Sequence, residues 1–147
     1  MALNFPELIG RFIHHCGALE LLTNNSIKSF SSDPLLLSEV IKFSWYNRIT
    51  LLRKLLVDRF NLKQADVKIL CDELDEIRIK RNLVAHNPIL STKPDGSGTE
   101  EILIIRYKVD KVDDIEKITK QDIAVLVKQT KELIIKFAAM VPNSTSN

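Results

Sequence analysis

Glycine and long apolar runs are both scarce in this sequence. Only four of its 147 residues are glycine, and a chain poor in glycine but rich in leucine, isoleucine, lysine and glutamate favours helices. Apolar runs such as Leu35-Leu36-Leu37 are far too short to span a membrane. The N-terminus has no basic stretch followed by an apolar core, so it does not resemble a signal peptide. We therefore expect a cytoplasmic protein with no membrane partner.

Cysteine is equally rare, which limits what can hold the fold together. The two cysteines, Cys16 and Cys71, fall on apolar faces of predicted helices. Two such residues make neither a metal-ligand cluster nor a disulfide framework, so we expect both to be reduced core residues. No metal or other cofactor is expected.

The chain also lacks a large excess of charge of one sign. Its formal net charge is +2, which argues against a sequence-blind nucleic-acid binder that works through a broad basic surface. A small local basic site remains open. The length fits one domain, which we place at residues 1–142, followed by a disordered polar tail at 143–147.

Apolar residues at helical spacing predict four helices. Asn4 and Asp33 are suitable N-caps for the first two, and Pro88 ends the third because the residue before proline is pushed out of helical geometry. Thr119 followed by Asp122 resembles a capping box at the start of the fourth. The predicted helices cover residues 5–25, 34–59, 61 or 66 to 87, and 120–141.

The segment between the third and fourth helices has a different character. Residues 93–98 form a turn signal rich in proline and glycine. Residues 102–109 are predicted to form a strand, and residues 89–92 are expected to pair with it. The predicted fold class is therefore all-α, an up-down four-helix bundle with a small β-hairpin between helices 3 and 4.

Charged residues interrupt the apolar stripes at three places. Arg81 falls in the middle of the apolar face of the third helix, Arg48 occupies an inner slot of the second, and Glu20 lies just inside the apolar edge of the first. A buried unpaired charge is costly, so these groups must pair or line a wet cleft. Two interpretations stay open, namely an ion pair between Glu20 and an arginine, or a functional site.

The neighbours of Arg81 favour a site. Arg78, Asn82 and His86 are four residues apart and form a ladder along one side of the third helix, which ends just after Asn87. Beside them lies a second apolar strip, made by Ile79 and Leu83. A helix that is apolar on two sides is deeply buried or sits at an interface, and in a small bundle a homodimer interface is expected.

The run Arg81-Asn82-Leu83-Val84-Ala85-His86 resembles the motif of the HEPN domain superfamily. That motif is an arginine, usually followed by a polar residue, with a histidine after four to six intervening positions late in a helical bundle. The resemblance implies a metal-independent endoribonuclease whose site is shared across a homodimer. It also implies RNA as the substrate, cleaved by attack of the ribose 2′-hydroxyl on the adjacent phosphate.

The chemistry of that reaction suits these residue types. A histidine exchanges protons near neutral pH, and an arginine supplies a fixed positive donor for charge on the phosphoryl oxygens. The resemblance thus gives Arg81, Asn82 and His86 catalytic roles. RNA binding is expected of Arg78, Asn87 and Arg48, and a structural or orienting role of Glu20.

The biological role that the resemblance implies is a toxin or a phage-defence effector with a cognate antitoxin or regulatory protein. Some HEPN toxins carry a tyrosine two residues after the motif histidine, which a partner enzyme modifies; here that position is Pro88, so this neutralisation is not expected. Two alternatives stay open. One is a non-catalytic HEPN module that binds a nucleotide or a protein, and the other is a helical scaffold in which the arginines form ion pairs and His86 caps its helix.

Overall fold

The computed structural model describes residues 4–86, 89–92, 101–108, 111–142 and 144, with side chains in 4–86, 117–142 and 144. These residues form five helices and three strands, and the chain is mostly helical, as the sequence predicts. The helices are α1 (Phe5–Lys28), α2 (Pro34–Val40), α3 (Trp45–Asp58), α4 (Gln64–His86) and α5 (Lys120–Met140). The strands, between α4 and α5, are β1 (Ile89–Thr92), β2 (Glu101–Lys108) and β3 (Lys111–Thr119).

Side-chain caps set the first residue of two long helices. The Asn4 side chain accepts a hydrogen bond from the Glu7 backbone N–H, and the Glu7 carboxylate accepts one from the Asn4 N–H. Thr119 and Asp122 make the same reciprocal pair before α5. Each pair satisfies two backbone donors that a helix leaves unbonded, so the predicted starts of both helices are confirmed.

The prediction of one helix over residues 34–59 is wrong. The structure has two helices there, because Ser44 is the N-cap of α3 and its hydroxyl accepts a hydrogen bond from the Asn47 N–H at 3.2 Å. Serine is a favoured N-cap and competes with continuation of a helix. The short α2 contributes no buried residue, so the N-terminal part of the predicted second helix is not part of the core.

The predicted two-stranded hairpin is a three-stranded antiparallel sheet in the order β1-β2-β3. The predicted pairing of β1 with β2 is confirmed, with Ile89 opposite Ile104. The unpredicted strand β3 pairs with β2 through backbone hydrogen bonds. Its sequence, KVDDIEKIT, is too rich in charge for a period-two apolar pattern, so it carries no strand signal of its own. The register shifts between Arg106 and Tyr107.

The core lies among the four long helices. α1 packs against α3, α4 and α5, and α3 packs against α4. A fully buried leucine, isoleucine or phenylalanine contributes about 1.5–3 kcal/mol relative to exposure, so the core dominates the stability of the fold. The largest fully buried apolar side chains are Phe12, Phe137, Leu19, Leu52, Leu56, Leu70, Leu74 and Ile123.

The end of α3 is set by a left-handed residue. Asn61 has φ 53°, a conformation that asparagine adopts more readily than most residues. It lets the chain reverse, and the Leu62 N–H then bonds the Leu56 carbonyl at 3.1 Å.

α4 begins at Gln64, between the two predicted starting positions. Of the predicted disordered tail, residues 143 and 145–147 lie outside the described residues, and Ser144 is buried.

Both cysteines are free and buried, as predicted. Burial raises the pKa of the Cys16 thiol to about 12, against a smaller lowering by Arg81, and burial raises the pKa of Cys71 to about 11. The thiolate is the reactive form. We expect a thiol-specific disulfide reagent at pH of about 8 to label neither cysteine in the folded protein and both in urea. Rapid labelling before unfolding would contradict this burial.

Candidate functional site

The C-terminal turns of α4 bring the two ends of the predicted motif together. Nη1 of Arg81 lies 3.4 Å from Nε2 of His86 and donates to Oδ1 of Asn82 at 3.1 Å. His86 is exposed and is the last residue of α4, whereas Arg81 and Asn82 are half-buried. The cation and the imidazole can therefore act on one group at the surface, although they are five positions apart in the sequence.

Glu20 links this turn to two other helices. Its Oε1 lies 3.6 Å from Nη2 of Arg81 on α4, and its Oε2 lies 3.3 Å from Nη2 of Arg48 on α3. The exposed fraction of the side chain is 10% for Arg48, 25% for Glu20 and 31% for Arg81. One carboxylate thus pairs with a buried arginine on one side and with a partly exposed arginine on the other. The ion pair that the sequence left as an alternative is present.

Arg48 lies beneath the site rather than at its surface. Besides Glu20, it donates from Nη1 to Oδ1 of Asn24 at 2.6 Å. Its burial and its two partners favour the ion-pair interpretation of Arg48 over the expected role in holding RNA. Asn24 was not predicted, and the signal that could have found it is its position one turn after Glu20, on the same face of α1.

Arg78 connects the site to α3 by a different contact. Its Nε donates to Oδ1 of Asp75 at 2.7 Å, and its guanidinium carbon lies 5.2 Å from the centre of the Tyr46 ring. That distance is within the range of a cation–π contact. Tyr46 was not predicted either, because an exposed aromatic at the start of a helix carries no motif.

Two further sequence predictions concern Asn87 and the second apolar strip of α4. Asn87 lies outside the described residues. The second apolar strip is not an exposed pair, since Ile79 is 50% exposed but Leu83 is buried at 6%. Exposed apolar side chains are most frequent in the segment from α2 to the start of α3, where Leu35 is 78% exposed and Ile41 58%, and single ones also occur on α1, α4 and α5.

A cavity of about 320 Å³ lies elsewhere, between α4 and α5. It is lined by Glu73, Ile77 and Leu133 among others, and none of Arg81, Asn82 and His86 borders it. Across the residues that the structure describes, no group of three or more histidine, cysteine, aspartate or glutamate side chains is placed to hold a metal ion.

Comparison of the chain with family models, with characterised proteins and with solved structures finds no match. None of the helices in the described part of the chain has the length and apolarity that crossing a membrane requires. What the chain does must therefore be inferred from the geometry of the site.

Proposed function

We propose that this protein is a metal-independent endoribonuclease of the HEPN type, built on a four-helix bundle of α1, α3, α4 and α5 and acting as a homodimer. The observation that supports it best is the 3.4 Å approach of Arg81 Nη1 to His86 Nε2 at the exposed end of α4. A cation beside an imidazole is the pair that phosphodiester cleavage by an internal hydroxyl requires.

In the proposed reaction the ribose 2′-oxygen attacks the adjacent phosphorus, and the bond from phosphorus to the 5′-oxygen breaks. His86 takes the proton of the 2′-hydroxyl, and the imidazole of a second copy returns a proton to the departing 5′-oxygen. Arg81 stabilises the negative charge that builds on the phosphoryl oxygens. The products are a 2′,3′-cyclic phosphate and a 5′-hydroxyl.

Asn82 and Glu20 position Arg81 in this proposal. The Asn82 side chain accepts from Nη1 and Glu20 approaches Nη2, so the guanidinium is held from two directions before RNA binds. Holding a donor in advance avoids the cost of ordering it during the reaction. In this proposal Asn82 acts through Arg81.

The purified protein is expected to cut a mixed-sequence RNA in the presence of a metal chelator. The ends identify the chemistry, because this route leaves a cyclic phosphate that acid opens and a 5′ end that polynucleotide kinase labels without prior phosphatase treatment. Cleavage that needs added Mg²⁺, or that leaves 5′-phosphates, would contradict the mechanism.

The homodimer would form through the surface that we call the α2 patch, consisting of Leu35, Leu36, Ile41 and Phe43. All four residues are between 44% and 78% exposed, and α2 has no fully buried residue in the protomer. The four residues lie within nine positions of the sequence, and large exposed apolar patches mark interaction sites. Phe43 precedes Tyr46, which contacts Arg78, so a second copy on this patch would adjoin the site.

We expect wild type to have the mass of a dimer in solution at micromolar concentration, and Leu35→Lys combined with Ile41→Lys to have that of a monomer. Both side chains are exposed, so the folding stability of the protomer should be unchanged. Light scattering coupled to gel filtration measures this. Ile135→Lys, at a 62% exposed position on α5, is the control that should stay dimeric. A monomeric wild type would contradict the shared site.

A non-catalytic module that binds a nucleotide or a protein partner is the second candidate. The contact between Glu20 and Arg81 favours it, because a guanidinium that already pairs with a carboxylate binds a phosphate less strongly than an unpaired one. A role as a toxin or phage-defence effector with an antitoxin rests on the family resemblance alone.

A further inference from the structure

Tyr46 stands at the edge of the site with about half of its side chain in solvent. It is the second residue of α3, it is 52% exposed, and its ring contacts the Arg78 guanidinium. Tyrosine rings usually bury most of their apolar area in a fold. An aromatic ring that is exposed and yet held against a charged group presents a fixed flat surface.

Arg78 holds that ring in place. Only 20% of the Arg78 side chain is exposed, and Asp75 fixes its Nε from one turn earlier on α4. The carboxylate balances the charge of Arg78, so this arginine has less charge to offer a phosphate than an unpaired one. Its role is to orient Tyr46.

The distance from Arg78, which contacts the Tyr46 ring, to the motif residues decides whether one RNA strand can reach both. Arg78 precedes Arg81 by three residues, which is about 4.5 Å along the helix axis, and His86 by eight, which is about 12 Å. A nucleotide whose phosphate lies at Arg81 can thus place a neighbouring base against the Tyr46 ring, which Arg78 contacts.

We propose that Tyr46, held by Arg78, is a stacking platform for an unpaired nucleobase next to the phosphate that is cut. This proposal rests on the proposed ribonuclease function and names its substrate class as single-stranded RNA. Every base has a flat π-face, so stacking tolerates different sequences but excludes a base that is already stacked inside a duplex.

The test measures binding rather than cutting, in a chain that carries His86→Ala throughout. A short fluorescent single-stranded RNA is titrated with this parent and with added Tyr46→Ala, Tyr46→Phe or Ile69→Ala. Base–aromatic stacking predicts that Tyr46→Ala weakens binding by about 5-fold to 150-fold. Tyr46→Phe keeps the ring and should bind like the parent, as should Ile69→Ala, which removes an exposed apolar side chain elsewhere on α4.

Unchanged RNA affinity of Tyr46→Ala would overturn the platform. If the mass of this variant in solution changes at the same time, Tyr46 is a protein contact instead. Equal affinity of the parent for a fully paired duplex would remove the single-strand preference. If wild type never cuts RNA but binding still depends on Tyr46, then the nuclease proposal fails and the platform stands.

Discussion

His86→Ala is expected to lower the rate of RNA cleavage by about 10²–10⁴-fold, the range that general acid–base groups contribute. The imidazole is the proposed general acid–base group, and its Nε2 lies 3.4 Å from Nη1 of Arg81. Initial rates on a labelled RNA, with chelator present, measure the effect. RNA binding should change far less than the rate, because Arg81 stays in place.

The matched control is His14→Ala, which removes another exposed histidine from α1. It should cut RNA at the wild-type rate. Because His86 lies at the end of a helix, its loss costs at most about 1 kcal/mol of favourable dipole interaction, so both variants should unfold at nearly the same urea concentration. Equal cutting by wild type and His86→Ala would remove the nuclease proposal.

Glu20→Gln is expected to reduce the free energy of unfolding by about 2–4 kcal/mol. Removing one partner of a buried ion pair leaves the other charge uncompensated, at a cost of about 3–5 kcal/mol when burial is complete; Arg48 is 10% exposed and keeps its bond to Asn24. Arg81→Ala should cost less than about 1 kcal/mol, because the arginine is 31% exposed and an exposed pair contributes little. Urea titration followed by circular dichroism compares the two.

These two variants separate a site from a scaffold. If Arg81 served only the fold, its loss would destabilise the protein as much as the loss of Glu20, and this result would rule out the site interpretation of Arg81. Glu39→Gln is the control, since Glu39 pairs with Lys42 on the surface at 2.7 Å and its loss should change stability by less than about 1 kcal/mol.

The sequence predicted the long helices better than the short elements. Caps at Asn4 and Thr119 act through residues three positions away, so local spacing reveals them. The break at Ser44 was missed because a serine in an apolar stripe is equally compatible with the middle of a helix and with a cap. Strand β3 was missed because backbone pairing with β2 holds a segment whose side chains carry no alternation.

The candidate site was also predicted only in part, because contacts within one helix follow from the sequence and contacts between helices do not. Arg81, Asn82 and His86 lie within one helix, so their spacing in the sequence and the geometry of a helix are enough to place them near each other. The partner of Glu20 could not be chosen from the sequence, because two arginines were available on different helices, and the carboxylate in fact contacts both. Tyr46 lies on α3, and only the packing of that helix brings it to Arg78. Asn24 lies one turn after Glu20 on α1, so helix geometry places it beside Glu20 but does not identify Arg48 as its partner.

The double contact of Glu20 has a consequence for how this chain can diverge. A descendant that stopped cutting RNA would be free to lose His86, which supports nothing in the core. It would have to keep Glu20 as long as it keeps Arg48, because losing Glu20 leaves the buried charge of Arg48 between helices without a carboxylate. Relatives that retain Glu20 and Arg48 but vary at His86 would thus belong to lineages that keep this fold without the proposed cleavage of RNA.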